Sequence, residues 1–189
     1  MQSIQDYLTT LGEVLGRLPV DDLEGAVGTV RRAWAEGRSI FLLGNGGSAA
    51  TASHLACDLA KGLVAPGRPR MKVVALTDNV PLLTAYGNDV GYERVFAEQL
   101  ANFVQPGDVV LAISASGNSP NVLAAIELAN ARGAATIGLT GFRGGKLKGL
   151  VRQCVVVPSD NMQQIEDAHM VIAHALFVQL RDGPSVGES

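Results

Sequence analysis

Aromatic side chains are scarce. Five Phe, three Tyr and one Trp make up 5% of the 189 residues, although 47% of the chain is hydrophobic. The core must therefore be built from Ala, Val, Leu and Ile, a composition that suits a parallel sheet buried on both faces. Cysteine is almost missing: Cys57 and Cys154 stand far apart without metal-ligand spacing. That excludes a disulfide scaffold and a cysteine zinc site, and both residues are expected as reduced, buried thiols. No apolar run approaches the roughly 20 residues of a membrane span. The amino terminus carries charge where a signal peptide would be apolar, so a cytoplasmic protein with no membrane partner is expected. Positive charge is not in excess either. The net charge is −3, which argues against non-specific nucleic-acid binding.

Two nucleotide signatures are also lacking. No G-x-x-x-x-G-K-[ST] run occurs, so an NTP-hydrolysing P-loop is excluded. Gly44, Gly46 and Ala49 match G-x-G-x-x-G/A loosely, but the acidic residue expected about 20 positions on is absent from the right context. Asp78 follows the second predicted strand instead.

What the chain does have is a pair of similar loops. Leu42-Leu43-Gly44-Asn45-Gly46-Gly47-Ser48 and Ala112-Ile113-Ser114-Ala115-Ser116-Gly117-Asn118-Ser119 each follow an apolar run and each open an Ala-rich helical stretch. Neither contains Lys or Arg. Gly, Ser and Asn turn backbone N–H groups and small hydroxyls towards an anion, and a helix N-terminus beneath adds partial positive charge. Two such loops in one domain imply a specific phosphorylated ligand.

The surrounding pattern alternates strand and helix. Two helices are predicted before the first strand, over about 2–17 and 21–36, an amphipathic hairpin suited to covering a sheet edge or another subunit. Strands are predicted at Ser39–Leu43, Lys72–Leu76, Asp108–Ile113, Ala135–Leu139 and Cys154–Val157. Helices are predicted at Ala49–Lys61, Pro81–Gly87, Tyr92–Phe103, Asn121–Arg132 and Met162–Arg181, with Gly87-Asn88-Asp89 as a break. This is a three-layer αβα sandwich with a five-stranded parallel sheet, flavodoxin-like, led by an amino-terminal helical hairpin. Ligands in such folds sit at the carboxyl ends of the strands, where both loops fall. The length suits one domain over 1–182, with the helices in 1–37 and a flexible tail at 183–189.

The chain has three histidines. His54 and Asp58 are four apart on the helix after the first loop and share a face. His169 and His174 lie on the last helix with Glu166 and Asp167. His174 has apolar neighbours, and a polar group in such company needs a partner. Mutual pairing or a shared metal would satisfy these residues, and imidazole with carboxylate suits zinc. Glu166 and His174 are eight residues apart, about 12 Å along a regular helix, so they would converge on one ion only if Glu166 stood at a frayed helix start. Otherwise Glu166 orients substrate, and His169 reads as structural or as a support to the site.

These motifs resemble the sugar isomerase (SIS) domain family, and within it the phosphoheptose isomerases, over nearly the whole chain to about Arg181. The markers are Gly44-Asn45-Gly46-Gly47-Ser48, Gly87-Asn88-Asp89, Ser114 to Ser119, and Ile165-Glu166-Asp167-Ala168-His169 with His174. The resemblance implies phosphate binding by Ser48, Ser114, Ser116 and Ser119, with Ala115 also on the substrate. It places Asn45, Gly46, Gly47, Asn88, Asp89, Asp58 and Glu166 on the sugar. It puts one Zn²⁺ per subunit on His54, Asp58, Glu166 and His174, and implies a homotetramer with active sites between subunits.

The expected reaction is aldose–ketose isomerisation of sedoheptulose 7-phosphate to D-glycero-D-manno-heptose 7-phosphate through an enediol, with Asp58 and His174 moving the proton. Four residues depart from the family's usual pattern: Asp58 for Glu, Glu166 for Gln, Ala115 for Thr and Ala49 for His. The resemblance also carries a rival. Some SIS proteins are non-catalytic, including a tetrameric one that binds a replication initiator, but retention of His54, Asp58, Glu166 and His174 favours an enzyme. A sugar-phosphate-sensing regulator ranks last, because no helix-turn-helix with a basic patch precedes Ser39.

Overall fold

The strands carry continuous apolar runs, and those runs form the middle of a sheet. In the computed structural model, which describes residues 3–183, the strands are β1 (Ser39–Gly44), β2 (Lys72–Ala75), β3 (Val109–Ile113), β4 (Ala135–Thr140) and β5 (Gln153–Val156). They pair in parallel in the order β2-β1-β3-β4-β5. Every residue of β3 is buried, whereas the edge strands β2 and β5 are partly exposed. The expected flexible tail lies outside the described residues except for Gly183.

Side chains alternate between the two faces, as the pleat requires. Ile40, Leu42, Val109 and Leu111 face a layer made by α1 (Ile4–Leu15), α2 (Val20–Ala35), α3 (Gly47–Cys57) and α8 (Met162–Asp182). Phe41, Leu43, Val110 and Ala112 face α4 (Val80–Asp89), α5 (Val95–Ala101), α6 (Pro120–Ala131) and the short α7 (Leu147–Leu150). The result is the three-layer sandwich expected from the sequence. The order reverses between β1 and β3, so the loops after these two strands sit side by side at the switch point, where open α/β sheets bind ligands.

Local chemistry explains where helices begin and end. Ser3 and Asp6 form a capping box at α1. Tyr7 ties α1 to α8 by donating to Asp167 Oδ2 at 2.5 Å, and that carboxylate pushes the phenol pKa up to about 12.

Several expectations need correction. Gly87-Asn88-Asp89 is no break. Asn79 caps the Leu82 amide, Pro81 fits the first turn, and a Cβ at Gly87 would meet only Val95, at 3.8 Å, so α4 runs on to Asp89. The stop is Gly91, with φ +98°. Tyr92–Phe103 divides into a 3₁₀ turn at Tyr92–Arg94 and the shorter α5. The helix expected to reach Lys61 changes at Asp58–Gly62 into a π turn. The thiols are not buried: Cys57 lies off the Thr51-Ala52-Leu55-Ala56 stripe and is exposed, and Cys154, on an edge strand, is half-buried.

Candidate active site

The first loop turns sharply because its glycines have no side chains. A Cβ on Gly44 would lie 2.8 Å from the Ser48 Cβ and 2.9 Å from the Ile113 carbonyl oxygen. Gly46 has φ +55°, and α3 starts at the next residue. A Cβ on Gly47 would lie 2.6 Å from Glu166 Oε2. The Glu166 carboxylate therefore sits against the N-terminal turn of α3, where the helix dipole favours negative charge.

The second loop is held from behind. Gly117 has φ +64°, and a Cβ there would run into the Gly144 carbonyl oxygen. Leu147 N donates to Gly117 O at 2.9 Å, and Lys146 N to Asn118 Oδ1 at 3.1 Å. At its front, Ser114 and Ser119 hydroxyls stand 3.3 Å apart.

Between the loops lies a cavity of about 170 Å³, lined by Asn45, Ser48, Ser114, Ala115, Ser116, Ser119, Met162 and Glu166, with Ile113 at its floor. It is smaller than a drug-sized pocket of about 300–1,000 Å³, and so suits the anchored end of a ligand that extends beyond it. A larger hollow of about 480 Å³ between α2 and α8 is lined mainly by apolar side chains such as Leu23, Val27 and Ile172. Its polar lining is Glu24, Arg31 and Gln179, whereas the smaller cavity gathers the Ser hydroxyls of both loops; His54, Asp58 and His174 line neither. Asn88 and Asp89, at the end of α4, do not line that cavity; the Asn88 amide donates to Asp89 Oδ1 at 2.8 Å.

His54 on α3, Asp58 at the start of the π turn and His174 on α8 converge. His54 Nε2 is 2.9 Å from His174 Nε2 and 3.3 Å from Asp58 Oδ2, and His174 Nε2 is 3.9 Å from that oxygen. The two imidazoles meet edge to face, their centroids 5.0 Å apart. Ligands at about 2.0–2.1 Å from a tetrahedral zinc lie about 3.3 Å from one another. The three separations straddle that value, so these donors fit a divalent cation.

Glu166 does not join them. Asn161 caps α8 through the Gln163 and Gln164 amides, so the helix is regular at Glu166 rather than frayed. The rise of about 12 Å to His174 then keeps the two apart, and the four-ligand set expected from the resemblance reduces to three among the described residues.

His169 is also separate. Its ring is 1% exposed, and its Nε2 meets the Thr140 carbonyl at 3.2 Å. Burial pulls its pKa down to about 4. Its Nδ1 has no partner among the described residues, as a neutral ring pinned to β4 allows. The polar contacts of Asn121 and Tyr92 with Asn45 carry no sequence motif. The only hint of them is an Asn in the first turn of α6.

Known proteins carry the same arrangement of elements. The SIS domain family matches residues 6–141. The phosphoheptose isomerase of Solidesulfovibrio magneticus is 44% identical over 179 residues, covering 93% of this chain and 87% of its own. That of Rhodospirillum rubrum is 44% identical over 157 residues, 83% of either chain. The solved phosphoheptose isomerase of Francisella tularensis superposes with a TM-score of 0.88 at 31% identity, over 95% of this chain and 96% of that one. The Neisseria gonorrhoeae phosphoheptose isomerase gives 0.86 at 29%, over 95% and 100%.

Proposed function

Because this chain belongs to the SIS domain family, we propose that it is an aldose–ketose isomerase that converts sedoheptulose 7-phosphate into D-glycero-D-manno-heptose 7-phosphate through an enediol. The observation that carries the reading is the meeting of His54 on α3, Asp58 on the π turn and His174 on α8, where α3 also opens from the first Ser/Gly loop. Similarity to phosphoheptose isomerases over most of the chain supports the substrate. The family match, with α8 completing one layer of the sandwich, supports treating 1–182 as one domain.

In this reading the phosphate is anchored by the hydroxyls of Ser48, Ser114, Ser116 and Ser119 and by the α3 N-terminus, while Gly46 and Gly47 line the sugar. Binding energy gathered there, remote from the reacting carbons, positions the carbonyl end. Glu166 accepts a sugar hydroxyl. One of Asp58 and His174 removes the proton next to the carbonyl, and the other returns a proton to the neighbouring carbon. With the metal held through His174 Nε2 and Asp58 Oδ2, the proton would move through the other carboxylate oxygen of Asp58 and through His174 Nδ1. His54, Asp58 and His174 would hold one zinc per subunit, which supplies polarisation of the carbonyl and stabilises enediolate charge.

Asn88 and Asp89 lie outside the cavity lining of a single chain. This suits a site completed between subunits of a homotetramer, as does the exposure of Ile4 (82%) and Leu8 (55%) on α1. No described helix is long and apolar enough to cross a membrane, in keeping with a cytoplasmic enzyme. The test is NMR of the zinc-loaded protein with a panel of C5–C8 sugar phosphates. Aldose–ketose exchange is expected with sedoheptulose 7-phosphate, and silence across the panel would move the reading to a non-catalytic phosphosugar binder.

A further inference from the structure

The amide of Asn45, a residue expected on the sugar, is already almost fully engaged. Its Oδ1 accepts from Tyr92 Oη at 3.0 Å and from Asn121 Nδ2 at 2.9 Å, which uses both lone pairs. Its Nδ2 donates to Asn121 Oδ1 at 2.9 Å, leaving one N–H. Asn121 is 2% exposed, and its Oδ1 also accepts from the Val122 amide at 2.9 Å. That backbone donor dictates which side of the Asn121 amide is oxygen, and the reciprocal pair then dictates the orientation of Asn45. Asn45 lies between β1 and α3, Asn121 in the first turn of α6 behind the second loop, and Tyr92 in the 3₁₀ turn after α4. Three segments are tied at one point.

We propose that Asn45, Asn121 and Tyr92 form a polar clamp that sets the spacing of the two Ser/Gly loops. Asn121 and Tyr92 are then positioning residues for the phosphosugar: they hold the Asn45 amide in one orientation and leave its remaining N–H for the ligand. The proposal rests on reading the cavity between the loops as the phosphosugar site. A ligand that bridges two loops binds more tightly when their separation is set beforehand. The reciprocal amide pair supplies that setting at a half-buried position, with Asn121 itself 2% exposed, and cutting either partner leaves the other unpaired. Losses from residues that act as one unit do not add.

Asn45→Ala, Asn121→Ala and the double variant form the test, each zinc-loaded and assayed for KM and kcat on sedoheptulose 7-phosphate. Each single change should raise KM about tenfold, the size of one lost buried hydrogen bond, with kcat within about threefold of the parent. The double variant should be no more than about twofold worse than the worse single one. Asn121→Asp keeps the shape but sets an oxygen against Asn45 Oδ1, and should match Asn121→Ala in KM. Wild-type KM in both Asn121 variants, or effects that multiply in the double variant, would overturn the clamp. Calorimetric titration with inorganic phosphate reads the same cycle without turnover. A parent protein inactive on the heptose would therefore count against the enzyme reading alone, while phosphate affinities still decide the clamp.

Discussion

Asp58 shows how much one methylene matters. A shorter carboxylate at this position reaches His54 Nε2 at 3.3 Å and His174 Nε2 at 3.9 Å, so proximity to both imidazoles survives. His169 carries a different kind of information, because its role is to be neutral. Its pKa falls from 6.5 in the unfolded chain to about 4 in the folded one. Between those values the unfolded state binds the extra proton, so stability is intact above about pH 6.5 and is lost as pH falls through 4. The difference corresponds to roughly 3 kcal/mol at the acid end. Urea unfolding should show this decline between pH 7 and pH 4, and His169→Gln, which keeps a donor for the Thr140 carbonyl, should flatten it. An unchanged slope in that variant would mean that other groups carry the acid sensitivity. Among site residues, the His54–Asp58 pair was legible because helix periodicity alone puts positions four apart together. The Asn45–Asn121 pair was not, since the two are 76 residues apart and meet only through the fold.

At the level of elements, the π turn at Asp58–Gly62 marks where sequence patterning stopped being informative. Helical spacing predicted a continuous helix to Lys61, and nothing in the residue types signals the wider turn. Its packing does account for one glycine. A Cβ on Gly62 would lie 2.6 Å from the Phe177 ring of α8, the helix that also carries His174. Gly62→Ala should therefore cost about 1–3 kcal/mol of stability, as overpacking does, and weaken zinc binding by displacing α8. Adding Phe177→Leu should recover part of both losses. Thermal unfolding with a zinc titration checks this, and a Gly62→Ala protein with parental stability would contradict the contact. Helix α4 teaches the complementary lesson. A glycine in a helical pattern ends the helix only when the backbone needs a positive φ, and here that residue is Gly91 rather than Gly87.

For the molecule as a whole, strand–helix alternation and the scarcity of aromatics were enough to indicate the parallel sandwich. The order β2-β1-β3-β4-β5 then explains why two loops 70 residues apart in sequence share one cavity: they follow neighbouring strands at the reversal point. Glu166, which the resemblance put on one ion with His174, stands eight residues before it on a regular helix and is not part of the His54–Asp58–His174 cluster. Asn88 and Asp89, expected on the sugar, lie outside the cavity lining of one chain, as do Gly46, Gly47 and Asp58. Sedimentation equilibrium should give the mass of four chains, and a monomer at micromolar concentration would contradict a site completed by a neighbouring subunit.

The central claim is that the two loops hold a phosphosugar for isomerisation by Asp58 and His174. Its most direct test follows conversion of sedoheptulose 7-phosphate by NMR with the zinc-loaded parent, Asp58→Asn and His174→Gln, each checked for retained phosphate binding. The parent should form the aldose, and either variant should lose about 10²–10⁴-fold in kcat, the range for removing a general acid or base. Near-parental turnover by both variants would contradict it.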